Sequence, residues 1–156
     1  MKSGDWSLLF HRCVLEQLER LKAASDKAIA RSPQNALENA NVKLYTTLAK
    51  LMLETIPSDP AKDDYRQGNT MGPDFRHWRR AKIGRRFRLF FRYDSHTKVI
   101  VYAWVNDDKT LRSAGSKNDP YMVFQKMLRR GNPPDDWNKL QSESSKKKVD
   151  EPLKRR

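Results

Sequence analysis

The chain has 156 residues, enough for one domain with a sizeable core, and its 32 Lys/Arg against 19 Asp/Glu give a net charge of +13. A charge of that size points to a phosphate-rich or acidic partner without dictating a fold. The lone Cys13 excludes an intramolecular disulfide and a cysteine zinc cluster, His11, His77 and His96 are too scattered for a metal site, and no run reaches the ~20 apolar residues of a membrane span.

The first ten residues, MKSGDWSLLF, lack a signal-peptide pattern, so a cytoplasmic setting is expected. Residues 5–29 read as a helix, with Trp6, Phe10, Val14, Leu18 and Leu21 spaced by three and four. Ser32-Pro33 reads as an N-cap and first-turn proline. The helix it opens carries Leu37, Asn41, Leu44, Leu48, Leu51 and Thr55 on one stripe and stops at Pro57. Residues 57–75 are rich in Pro, Gly and Asp and read as a loop, with a short edge strand possible at Tyr65-Arg66. Asp63 and Asp64 lie in it with no third ligand nearby, which argues against a magnesium site.

Three strands follow, Trp78–Ile83, Phe87–Tyr93 and Lys98–Val105, joined by Gly84-Arg85-Arg86 and by Asp94 to Thr97. Connections this short favour antiparallel hairpins. Alternation puts Ala81, Ile83, Phe87, Leu89, Phe91 and Tyr93 on an oily face. The opposite face receives Arg80, Lys82, Arg88 and Arg92, with Trp78 and Phe90 among them. Residues 76–92 hold eight Lys/Arg and no Asp or Glu, whereas an ordinary surface mixes both signs, so this face is expected to be an open basic patch. The third strand is apolar on both faces and is therefore expected to be central and partly covered on both sides. Asp119-Pro120 caps a last helix through about Arg130, with Tyr121, Phe124, Met127 and Leu128 on its apolar stripe and Gly131 just past its end. Trp137 is expected to fold back, and residues 141–156 to form a disordered basic tail. The expected architecture is α+β. An antiparallel helical hairpin packs on a small antiparallel sheet, a C-terminal helix follows, and the domain covers residues 1–140.

The blocks WRRAKIGRRFRLFFRY (78–93), VIVYAWVNDDKTLRSAG (99–115) and DPYMVFQKMLRRGNPPDDW (119–137) resemble the YhaV toxins of type II toxin–antitoxin modules, within the RelE/ParE superfamily. The resemblance covers about residues 5–140. It implies a RelE-like fold and an endoribonuclease (mRNA interferase) that cleaves mRNA, often on the ribosome, and so inhibits translation. It also implies an acidic PrlF-type antitoxin with an AbrB-like DNA-binding domain, through which alone the toxin would reach operator DNA.

Metal-independent RNA cleavage uses the 2′-OH as nucleophile, so a site must accept its proton, stabilise charge on the phosphoryl oxygens and protonate the leaving 5′-oxygen. The three histidines are badly placed for this work. The shared face of Arg80, Lys82 and Arg88 is the expected site, with Arg80 and Arg88 holding the phosphate bidentately. Arginines around Lys82 would disfavour its protonated form, and a fall of about 2–3 units from ~10.4 would make it a useful base. Arg112 is similar to the arginine that RelE-type nucleases place near the leaving group, and Tyr121 is expected to stack a base or donate a hydrogen bond. Arg79, Arg85, Arg86, Arg92, Trp104 and Lys109 are expected to bind RNA; Tyr102, Phe90 and Trp78 are further stacking candidates. Neither a cofactor nor a metal is expected. Two other readings fit the same patterns: a non-catalytic ParE-like toxin binding a protein such as gyrase, and a basic nucleic-acid-binding module.

Overall fold

A computed structural model describes residues 2–106 and 119–145. Its strands are β1 (Lys2–Ser3), β2 (Trp6–His11), β3 (Arg79–Ile83), β4 (Phe87–Asp94), β5 (Val99–Val105) and β6 (Ser144–Ser145). They form a sheet of order β1-β2-β5-β4-β3, with β6 also on β2. The helices are α1 (Arg12–Arg31), α2 (Ala40–Lys50), α3 (Ile56–Ser58), α4 (Pro120–Arg129) and α5 (Trp137–Ser142).

The hairpins β3–β4 and β4–β5 are antiparallel, but β2 runs parallel to β5, with Leu8 beside Ile100 and Phe10 beside Tyr102. The sheet is therefore mixed, not antiparallel. The first helix was expected to begin near residue 5. Instead, Leu8-Leu9-Phe10 is a buried strand whose side chains alternate between two cores, Leu8 and Phe10 in one and Leu9 in the other. The helix begins only after His11, whose Nδ1 accepts from the Cys13 backbone N–H at 3.1 Å and so caps α1.

The first core lies between the oily sheet face and the helices α1 and α2. It holds Val14, Leu15 and Leu18 with Tyr45, Leu48, Met52 and Ile56, against Leu89, Phe91, Ile100 and Tyr102. The second helix deviates from the expected stripe. Residues Pro33–Glu38 form a 3-10 segment that leaves Leu37 82% exposed, and Asn39 then caps α2 by accepting from the N–H groups of Asn41 and Val42. Burial falls on Val42, Tyr45 and Ala49, one position past the predicted Asn41, Leu44 and Leu48, although Leu48 is itself buried as expected. A π-helical turn at Leu51–Thr55 carries the chain into α3, which includes Pro57.

The sheet's other face was expected to be open. It carries a second core instead, where Tyr121, Phe124 and Leu128 of α4 cover Trp78, Phe90, Val101 and Trp104. A bulge makes this possible. Phe90 pairs with Trp104 and Phe91 with Tyr102, so Ala103 is the extra residue and alternation shifts past it. Strict alternation would put Trp104 on the face of Ile100 and Tyr102. The bulge turns it to the α4 side, where its ring stacks on Phe124 with centroids 5.7 Å apart and planes 5° from parallel. The expected tail boundary at 140 also falls inside a helix: α5 extends to Ser142 and Ser144–Ser145 pairs with β2. The rest of that tail lies outside the described residues.

Candidate active site

Strand pairing fixes the centre of the site. Lys82 on β3 is directly across from Arg88 on β4, and Arg80 is across from Phe90. All three cationic residues therefore share the α4 side of the sheet. Tyr121 enters from the first turn of α4, which Asp119 caps by accepting from the Tyr121 backbone N–H at 3.1 Å, with Pro120 at the first helical position. The Tyr121 hydroxyl oxygen accepts from Arg80 Nε at 2.8 Å and from Arg88 Nε at 3.2 Å. One oxygen thus holds two guanidinium groups together.

Each guanidinium is fixed by a second bond. Arg80 Nη1 donates to the Asp64 carbonyl at 2.6 Å, and Arg88 Nη1 to the Phe87 carbonyl at 2.8 Å. Arg88 is buried, Arg80 half-buried and Lys82 exposed. Asn106 anchors the strand beneath them: its Oδ1 accepts from the Arg88 backbone N–H at 2.6 Å, and its Nδ2 donates to the Arg86 carbonyl at 2.9 Å. None of Arg80, Lys82 and Arg88 is in an ion pair among the described residues. Like charges crowded without a carboxylate favour capture of an anion.

The other expected site residues are dispersed. Arg85 and Arg86 are exposed in the β3–β4 turn. Arg79 faces the opposite side of the sheet from Arg80, its guanidinium 5.7 Å from the Tyr93 ring centroid. Arg92 lies over the rings of Trp78 and Trp137, at 5.6 and 5.1 Å, and donates to the Asp135 carbonyl at 2.5 Å. Its pKa is lowered by burial, with Asp135 and Asp136 acting in the opposite sense. Trp104 is core, as are Phe90 and Trp78, so these three do not form an open row of aromatics. Tyr102 is buried on the other face, donating to the Met52 carbonyl at 2.6 Å. Arg112 and Lys109 lie outside the described residues, as do Asp107 and Asp108.

Three features escaped the sequence reading. The bracing role of Asn106 and the Asp64 carbonyl has no local motif, because each depends on a tertiary neighbour. Asp135 binds two side chains, His77 Nε2 at 2.6 Å and Trp78 Nε1 at 2.8 Å. His11 is fully buried, and its Nε2 meets Glu143 Oε1 at 3.0 Å; desolvation lowers its pKa, with Glu143 opposing. Burial also raises the Cys13 thiol to about 11, which keeps it from acting as a thiolate nucleophile. Among the described residues no three His, Cys, Asp or Glu side chains gather as a metal site would require, Asp63 and Asp64 included.

Residues 8–145 match a family model described as a toxin with endonuclease activity, of a toxin–antitoxin system. The chain is 39% identical over 143 residues to "Ribonuclease toxin YhaV" of Escherichia coli K12, covering 90% of this chain and 93% of that protein. It matches "Toxin YhaV" of E. coli O6:H1 strain CFT073 with the same identity and coverage. No solved structure matches the chain. The family match runs from Leu8 to Ser145 and so takes in both cores and the Arg80–Arg88–Tyr121 cluster, and the chain belongs to the YhaV family of toxins with endonuclease activity, of toxin–antitoxin systems.

Proposed function

We propose that this toxin cleaves mRNA on the ribosome, without a metal, by attack of a 2′-OH on the adjacent phosphorus at the Arg80, Lys82, Arg88 and Tyr121 cluster. The observation that carries this reading is the convergence of two guanidinium groups on one oxygen beside a cross-strand lysine. Pre-oriented cations stabilise charge developing on phosphoryl oxygens without reorganising at the moment of reaction. In this reading Arg80 and Arg88 hold the phosphate, Lys82 takes the 2′-OH proton, and Tyr121 donates a hydrogen bond to the reacting oxygens. Arg112 would serve the leaving 5′-oxygen, a role that rests on the RelE-like resemblance.

Membership of a toxin–antitoxin system implies an antitoxin. We take it to be an acidic PrlF-type protein with an AbrB-like domain, through which the complex reaches operator DNA, and we place the pair in the cytoplasm. The two helices on one face of the sheet and α4 on the other are read as RelE-like. The test is product chemistry. Cleavage in excess EDTA, or with ribosomes kept in their magnesium, should leave 2′,3′-cyclic phosphate ends. Ribosome-free cleavage that needs Mg²⁺ and leaves 3′-hydroxyl ends would overturn the mechanism.

A further inference from the structure

Two open cavities of about 350 Å³ each meet at His77 and Arg79, at the N-terminal end of the edge strand β3. One is walled by Arg66, Gly68 and Arg76; the other by Arg92, Tyr93 and Trp137. Arg79 adjoins Arg80 on this edge strand, one residue or about 3.3 Å along it, with its side chain on the other face. That separation puts the groove within reach of a nucleotide beside one bound at Arg80.

The carboxylates around the groove are already engaged. Asp94 accepts from the His96 backbone N–H at 2.9 Å, closing its own turn. Asp135 is taken by His77 and Trp78, and Asp63 stands 3.6 Å from Arg66, both largely exposed. Arg76 and Arg79 are in no ion pair among the described residues, and Arg79 Nε is buried with no hydrogen-bond partner there. A buried donor without an acceptor is costly and is relieved by an incoming anion. Trp137 presents a half-buried ring in the adjoining cavity, and an aromatic ring is a sequence-tolerant support for a nucleobase.

Resting on the reading of Arg80 and Arg88 as an RNA-cleaving site, we propose that this groove holds a nucleotide of single-stranded RNA flanking the scissile bond. Its phosphate lies on Arg66, Arg76 and Arg79 and its base against Trp137. The groove extends the substrate footprint past the reacting phosphate, and cleavage then favours strands long enough to fill it.

The experiment measures binding of the full chain to uncleavable 2′-O-methyl RNA of about 3 and about 12 nucleotides, against salt concentration. Arg66→Ala with Arg76→Ala removes two exposed side chains and leaves no core cavity. The double variant should bind the longer strand on the order of tenfold more weakly at 0.1 M salt, with a salt slope smaller by about 1.4. Its preference for the longer strand should shrink accordingly. Lys43→Ala with Lys50→Ala, an equal charge loss on the exposed side of α2, should leave the slope unchanged. An unaltered slope in the first double variant overturns the proposal. So does an equal loss in both variants, or weakened binding of an acidic peptide with RNA binding intact, which would assign the groove to a protein partner. Because the RNA cannot be cut, the result stands apart from whether Arg80 serves cleavage.

Discussion

A hydroxyl oxygen that accepts from two guanidinium groups orders both, and Tyr121 does this for Arg80 and Arg88 at 2.8 and 3.2 Å. The two arginines are not equivalent as probes. Both were expected on an open face where alanine leaves no cavity, but Arg88 is only 7% exposed, so its removal also perturbs packing. Arg80 is the cleaner test. His11 allows a second prediction. Its folded-state pKa is below 6.5 because burial disfavours the charged ring. Above about pH 6.5 the ring is neutral in both states and contributes no pH dependence. As pH falls below that value the unfolded chain binds the proton first, and stability is lost. His11→Asn keeps a side-chain acceptor for the cap and removes the titration. Its melting temperature should fall less than wild type's between pH 7 and pH 5. Equal slopes for the two proteins would contradict this role for His11.

The packing of α4 joins fold to site, because one helix both closes the second core and delivers Tyr121. Phe124 stacks on Phe90 at 4.4 Å and meets Trp78 edge-on at 5.0 Å. Phe124→Ala should therefore cost about 3–5 kcal/mol. Cleavage should fall with it, since Tyr121 sits one turn away. Leu37→Ser, at 82% exposure, should change stability by less than about 0.5 kcal/mol. Denaturant melts decide the pair, and similar midpoints for both variants would contradict the two-core account. The strands β3, β4 and β5 were legible within one residue at each end, because short turns bound their aromatic and β-branched runs. The strand β2 was not: Trp6, Phe10 and Val14 fit a helical stripe equally well, and only pairing with β5 separates the two. Nor could alternation alone reveal the Ala103 bulge or the cover over Trp78, Phe90 and Trp104. The apolar residues on both faces of β5 pointed to partial cover there, but not to its extent over Trp78 and Phe90.

Across the chain, charge and coverage act together. In the proposed reading, the net charge of +13 attracts both RNA and an acidic antitoxin, which then compete for the same arginines. Toxin–antitoxin association should slow markedly between low and physiological salt, because exposed charges are screened within ~8 Å at 0.15 M. A salt-independent on-rate, measured by stopped flow, would show that encounter is not electrostatically steered. The Arg80, Lys82 and Arg88 set was legible because strand alternation alone gathers it; its bracing by Tyr121, Asn106 and Asp64 needed the tertiary fold. The most direct test of that cluster is primer extension on a cellular mRNA after equal expression of wild type and Arg80→Ala. Losing one pre-oriented donor should cost about 2.7–4 kcal/mol in the transition state, a fall of about 10²–10³ in rate. The account predicts that the wild-type cleavage stops disappear with the variant while its melting temperature stays near wild type. The same stops at the same intensity would contradict it.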